Sequence, residues 1–150
     1  MTRLTPPRYV AERSFPYEMV YMPETQRVAA SFKMAGNLSI GMWDDPRANR
    51  LVMVDVSAPS APVVAELPLD GDPLPQYMAL GPRGDTLVIN RLGYHEHLLD
   101  YVDISGFPAL RLIKRLDTVA QPHAMQLVDG ERLMLATMRR EVVLLDYHTG

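Results

Sequence analysis

The chain has 150 residues, 47% of them hydrophobic and 22% charged, a balance that supports one packed core and excludes a disordered or collagen-like polymer. Fifteen basic against eighteen acidic side chains give a formal charge of −3, so there is no global positive field to hold phosphate backbones, and nucleic acid is not expected as a partner. Cysteine is absent, which removes disulfides, thiolate metal sites and cysteine nucleophiles together.

From Met1 to Arg8 there is no apolar leader core, and no run of about 18 apolar residues occurs anywhere. The sequence therefore predicts neither an export signal nor a membrane span, with a cytoplasmic location as the default expectation. Pro7 to Glu12 is followed by Pro16-Tyr17-Glu18-Met19, the first of three segments of sixteen residues that align without gaps: Pro16 to Ser31, Pro75 to Asn90 and Pro122 to Thr137. Each opens on Pro-x-x-Met and continues as an apolar stretch, a polar turn and a second apolar stretch, the pattern of a β-hairpin.

After the first hairpin comes a long insertion, Phe32 to Asn49, with the only tryptophan, Trp43, followed by Asp44-Asp45-Pro46. A loop of that length is either a binding element or a small extra hairpin. Trp43 is accordingly a candidate for capping a ligand or anchoring a partner. Leu51 to Ser57 and then Pro62 to Leu67 read as two further strands. The second hairpin leads through Tyr94-His95-Glu96-His97 into Leu99 to Ser105 and Pro108 to Ile113, and the third into Val142 to Asp146. Val54-Asp55-Val56-Ser57 and Val102-Asp103-Ile104-Ser105 lie 48 residues apart. Four short strands in about 45 to 50 residues is the period of a propeller blade, and no segment sustains helical periodicity.

Leu51 to Val64, with its Leu-Val-Met-Val-Asp core, resembles the LVIVD repeat, and Pro75 to Asn90 resembles the related YVTN-type hairpin. The resemblance covers nearly the whole chain. It implies an all-β fold of β-propeller blades: about three four-stranded antiparallel repeats, an incomplete ring in one chain. The units are an orphan fourth strand over 1–15, a blade over 16–70, a second over 71–117, and a third over 118–150 that lacks its fourth strand. Since closed propellers have about four to eight blades, two partner arrangements follow. A homodimer closes a six-bladed ring, with Tyr9 to Glu12 of each copy beside Val142 to Asp146 of the other, or the missing blades belong to a longer chain.

Blade topology brings the connections between second and third strands and between successive blades to one face, where binding residues gather. Tyr17, Gln76 and His123 hold the same repeat position and are expected to form a polar channel mouth for a small ligand. His95 and His97 project the same way from an extended segment, with Glu96 opposite. With His123 they make the candidate set for a divalent metal, no other cofactor being implied. Asp55, Asp103 and Asp146 recur at one position and read as turn carboxylates accepting backbone N–H groups. Met19, Met78 and Met125 read as inner-strand packing residues. The expected function is that of a binding or interaction propeller presenting these loops to a partner or small ligand. The alternative implied by the resemblance is part of a propeller enzyme, a lactonase-like hydrolase or a metal-dependent oxidoreductase in which these histidines supply ligands or a general base.

Overall fold

The computed structural model describes residues 14–34, 36–37, 42–43, 49–58, 60, 62–70, 74–93, 97–118, 122–137 and 140–149. All regular structure among them is β. The strands are β1 (Ser14–Met22), β2 (Arg27–Met34), β3 (Gly36–Asn37), β4 (Met42–Trp43), β5 (Arg50–Asp55), β6 (Val64–Pro68), β7 (Leu74–Leu80), β8 (Thr86–Leu92), β9 (His97–Asp103), β10 (Arg111–Asp117), β11 (Pro122–Val128), β12 (Arg132–Thr137) and β13 (Val142–Asp146). No described helix is long and apolar enough to cross a membrane.

The strands form antiparallel meanders. β1-β2-β5-β6 make blade 1, β7-β8-β9-β10 make blade 2 and β11-β12-β13 make blade 3, while β3 and β4 pair as a small hairpin within the insertion. The first strands of the three blades are neighbours, β7 touching both β1 and β11, so the sheets stand around a common side without closing on themselves.

Each Pro-x-x-Met segment encodes a β-bulge. Pairing slips between Pro16 and Glu18, between Pro75 and Met78, and between Pro122 and Ala124. Proline is tolerated there because the first strand is a sheet edge, where no ladder N–H is missed. The bulge adds a residue and turns the strand, which re-aims the side chains beside it.

The third hairpin departs from the gapless alignment. Its turn holds the three residues between Val128 and Arg132, with Asp129 and Gly130 at φ of 51° and 75°. The first turn holds the four residues between Met22 and Arg27. The shorter turn advances the pairing by one, so that Ala136, not Thr137, stands at the position of Ser31 and Asn90. Turn length fixes hairpin register, and a one-residue change moves every side chain to the other face.

Two apolar interfaces hold the blades together. Met22, Ala29, Leu51 and Met53 of blade 1 meet Met78, Leu87, Ile89 and Val102 of blade 2. Ala79, Val88, Leu99 and Tyr101 of blade 2 meet Leu133, Leu135 and Tyr147 of blade 3. Each fully buried aliphatic side chain of this kind contributes about 1.5–3 kcal/mol. Met78 packs in the first interface and Met125 against the second, as packing residues should. Met19 is 70% exposed.

The recurrent aspartates close turns, as their position predicts. The Asp55 carboxylate accepts from the Ser57 N–H at 2.9 Å and from its hydroxyl at 2.6 Å, and Asp103 accepts from Ser105 at 3.0 and 2.6 Å. Asp146 accepts from the backbone of His148 and Thr149 at 2.9 and 2.8 Å.

Candidate functional site

The inner strands bring three rings together across the blades. Tyr17 and Tyr77 meet edge to face, with centroids 5.4 Å apart, and the Tyr17 hydroxyl donates to that of Tyr77 at 3.3 Å. Tyr77 in turn meets His123 edge to face at 5.8 Å. Lys33, on β2, holds its Nζ 3.8 Å from the centre of the Tyr17 ring, a cation–π contact. Tyr17 and Tyr77 are half-buried and His123 is exposed, so the cluster runs from the blade interfaces out to solvent.

Polar struts fix the strands that carry these rings. The Ser31 hydroxyl accepts from the Glu18 N–H at 3.2 Å within blade 1 and donates to the Gln76 carbonyl of blade 2 at 2.8 Å. Asn90 repeats the device: its Oδ1 accepts from the Tyr77 N–H at 2.7 Å, and its Nδ2 donates to the Pro122 carbonyl of blade 3 at 3.0 Å. In both cases a buried side chain satisfies the backbone group that the bulge takes out of the ladder. The Glu18 carboxylate also crosses between blades, accepting from the Met78 N–H.

Burial and hydrogen bonding set the charge states. The Tyr17 phenol is pushed up to about 12 by its hydrogen bond with Tyr77, reinforced by burial. Burial holds the Lys33 ammonium below its ordinary value. The Glu18 carboxyl is raised by burial, against the opposing pull of the Met78 N–H. The Tyr17 proton is engaged in the bond to Tyr77.

The residues singled out in the sequence are distributed as follows. Tyr17 and His123 join the cluster. Gln76 lies next to it but is buried, and its Oε1 has no hydrogen-bond partner; the ring between the other two belongs to Tyr77. Trp43 stands in β4 opposite Gly36. His97 begins β9 opposite Leu92, and its carbonyl accepts from the Thr118 N–H at 2.7 Å. His95 and Glu96 lie outside the described residues. Among the described residues no three His, Asp or Glu side chains gather as a metal site.

Tyr77, Lys33, Ser31 and Asn90 were not singled out. Ser31 and Asn90 carried a signal, as polar residues closing matched apolar stretches. Tyr77 carried none, because the bulge decides which of two adjacent side chains turns toward the neighbouring blade.

No family model matches the chain, and no curated protein matches it. Among solved structures, a chain of hydrazine synthase from Kuenenia stuttgartiensis is 20% identical, with a TM-score of 0.68 over 92% of this chain and 47% of that one. The β-propeller domain of the trilobed protease from Pyrococcus furiosus is 13% identical, with a TM-score of 0.46 over 83% of this chain and 34% of that one. The present chain spans about half the length of the hydrazine synthase chain it matches. At such identities the likeness is one of fold. The fold is that of β-propeller blades: repeated antiparallel meanders with first strands side by side, not closed into a ring.

Proposed function

We propose that the chain supplies blades of the LVIVD and YVTN type to a ligand-binding propeller, with Tyr17, Tyr77 and His123 as the binding mouth and Trp43 as a rim residue. The observation that carries this reading is the ring contact that crosses two blade boundaries, Tyr17 to Tyr77 to His123, with the Lys33 ammonium against it. Flat walls with phenol hydroxyls and an ammonium beside them suit a small molecule that has both a flat apolar part and a hydrogen-bonding polar edge.

Titration of the chain with benzoate, followed by its tyrosine and tryptophan fluorescence, tests this. Saturable binding is expected, weaker with acetate, and lost in Tyr77→Phe and Lys33→Met variants that retain the wild-type circular dichroism. Equal responses from wild type and both variants would remove the mouth from consideration as the site.

A further inference from the structure

The same place between neighbouring blades is built twice, from different side chains. Between blades 1 and 2, at the hairpin-turn end of the strands, Met53, Ala65 and Ile104 are at most 5% exposed and belong to one apolar cluster. Phe107 packs on that cluster, with the Arg27 guanidinium 4.4 Å from the centre of its ring.

Strand register identifies the counterparts between blades 2 and 3. Met53 pairs with Ala29 and Ala65, and Tyr101 pairs with Val88 and Lys114. Arg27 stands opposite Asp55 as Thr86 stands opposite Asp103. The Ile104 N–H donates to the Asp85 carbonyl as the Tyr147 N–H donates to that of Glu131. Three apolar side chains thus become two phenols and an ammonium, and a long side chain becomes a short one. A groove of about 500 Å³ lies there, lined by Thr86, Tyr101, Ile113, Lys114, Tyr147 and His148. It sits by the hairpin turns, whereas the Tyr17–Tyr77–His123 cluster sits by the bulges.

The polar groups that replaced the apolar ones are donors. Tyr101 is 3% exposed, and its hydroxyl is buried with no hydrogen-bond partner among the described residues. Burial pushes this phenol up to about 12, so it keeps its proton at neutral pH. An unmet buried hydroxyl is destabilising, and an acceptor brought by a ligand relieves it. The Lys114 Nζ lies 5.0 Å from the centre of the Tyr101 ring and gives one N–H to the His148 carbonyl at 2.6 Å; an ammonium has three. The Tyr147 ring meets that of Tyr101 edge to face at 5.5 Å and supplies a flat wall. Around the groove Arg83 and Lys114 are matched by Asp85 and Glu131, so formal charge cancels.

We propose that this groove binds a neutral, flat molecule with a carbonyl oxygen, an aromatic amide or lactam, whose oxygen accepts from Tyr101 and Lys114 while its ring lies along Tyr147 and Ile113. A carbonyl oxygen accepts two hydrogen bonds, which matches two donors. The cancelled charge gives a cation or an anion no net attraction. The volume lies within the range of about 300–1,000 Å³ common to small-molecule sites.

Titration of the chain with benzamide, followed through the NMR signals of the tyrosine rings, tests this. The Tyr101 and Tyr147 signals are expected to shift saturably. Toluene, which has the ring without the acceptor, is expected to bind at least about tenfold more weakly. Tyr101→Phe deletes an oxygen that has no partner and Lys114→Met keeps the stem, so both variants should retain the wild-type circular dichroism. Each should weaken benzamide binding at least about tenfold. Unmoved Tyr101 and Tyr147 signals at saturating benzamide, or an affinity unchanged in both variants, overturns the proposal. So does benzamide that shifts Tyr77 alone, which would place the probe at the mouth. Benzoate binding is read separately through Tyr77→Phe, so either site can fail without the other.

Discussion

The side-chain amide of Asn90 in blade 2 donates to the backbone carbonyl of Pro122 in blade 3 at 3.0 Å. Because its oxygen holds the Tyr77 N–H at 2.7 Å, one fully buried side chain both completes the bulge of its own blade and fastens the next. Ser31 does the same between blades 1 and 2. In blade 3 the shortened turn puts Ala136 at this position, so the described strut series ends there.

Asn90→Ala leaves a donor and an acceptor unsatisfied in the interior, at about 1–3 kcal/mol each. A loss of about 3 kcal/mol is expected from urea unfolding, with the midpoint lowered and the slope unchanged. Asn90→Ser, which installs the group used in blade 1, should recover part of it. A change within about 0.5 kcal/mol for the alanine variant, the size of an ordinary surface substitution, would mean that the strut is dispensable.

The Asp100 carboxylate is fully buried and takes Arg91 Nη1 at 3.0 Å together with Arg115 Nε and Nη2 at 2.6 and 2.9 Å. Arg91, equally buried, also donates to the carbonyls of Leu69 and Asp70 at 3.0 and 2.7 Å, which ties blade 2 to the connection arriving from blade 1. Asp100→Asn removes the buried carboxylate that both guanidinium groups share, and should cost about 3–5 kcal/mol. The double change Arg91→Met with Asp100→Leu should cost less than the single one, since it removes both charges. If the double variant proves the less stable of the two, the ion pair contributes more than the desolvation it requires.

Asp55, Asp103 and Asp146 sit below the ordinary value of 3.8, held there chiefly by the Ser57 hydroxyl, the Ser105 hydroxyl and the Thr149 N–H respectively. A carboxyl with a lower pKa in the folded chain stabilises the fold above its unfolded value and ceases to do so as pH falls through the folded value. Stability should therefore decline below about pH 4, and Asp55→Asn and Asp103→Asn should flatten that decline in thermal unfolding scans. Glu18 has the opposite sign. Burial raises it from 4.5, so its ionisation disfavours the fold as pH rises past that point, and Glu18→Gln should stabilise at neutral pH with the gain gone in acid. A Glu18→Gln gain that persists in acid would assign the effect to packing.

A methyl group on Gly81 would stand 2.5 Å from the Tyr147 hydroxyl and 3.1 Å from the Thr86 carbonyl. Tyr147 is buried between blades 2 and 3, where its ring meets that of Tyr101 edge to face at 5.5 Å, so a shift of the ring disturbs that packing. Gly81→Ala should lower stability by about 1–3 kcal/mol through overpacking. Tyr147→Phe in the same chain should return part of it by removing the clashing oxygen. No recovery in the double variant would place the strain at the Thr86 backbone.

The fold was legible to the degree that it depends on local pattern. Alternating apolar residues marked most of the strands because a strand presents one face to each neighbouring blade. The repeated aspartates announced their turns because a carboxylate captures the N–H groups two and three residues on. Tyr17 and His123 were legible as matched inner-strand positions because the proline before each fixes where that strand begins.

What only the tertiary structure decided was which side chains meet. Gln76 and Tyr77 are adjacent, and the bulge, not their identity, puts Tyr77 against Tyr17 and His123. Lys33 reaches Tyr17 from a paired strand, and Asp100 collects Arg91 and Arg115 from β8 and β10. Repetition in the sequence made these blades, since apolar periodicity and turn chemistry act over a few residues. Register made the ring cluster, since one residue more or less in a turn or bulge exchanges the faces of a strand, and that balance is settled by pairing and packing between strands far apart in the chain.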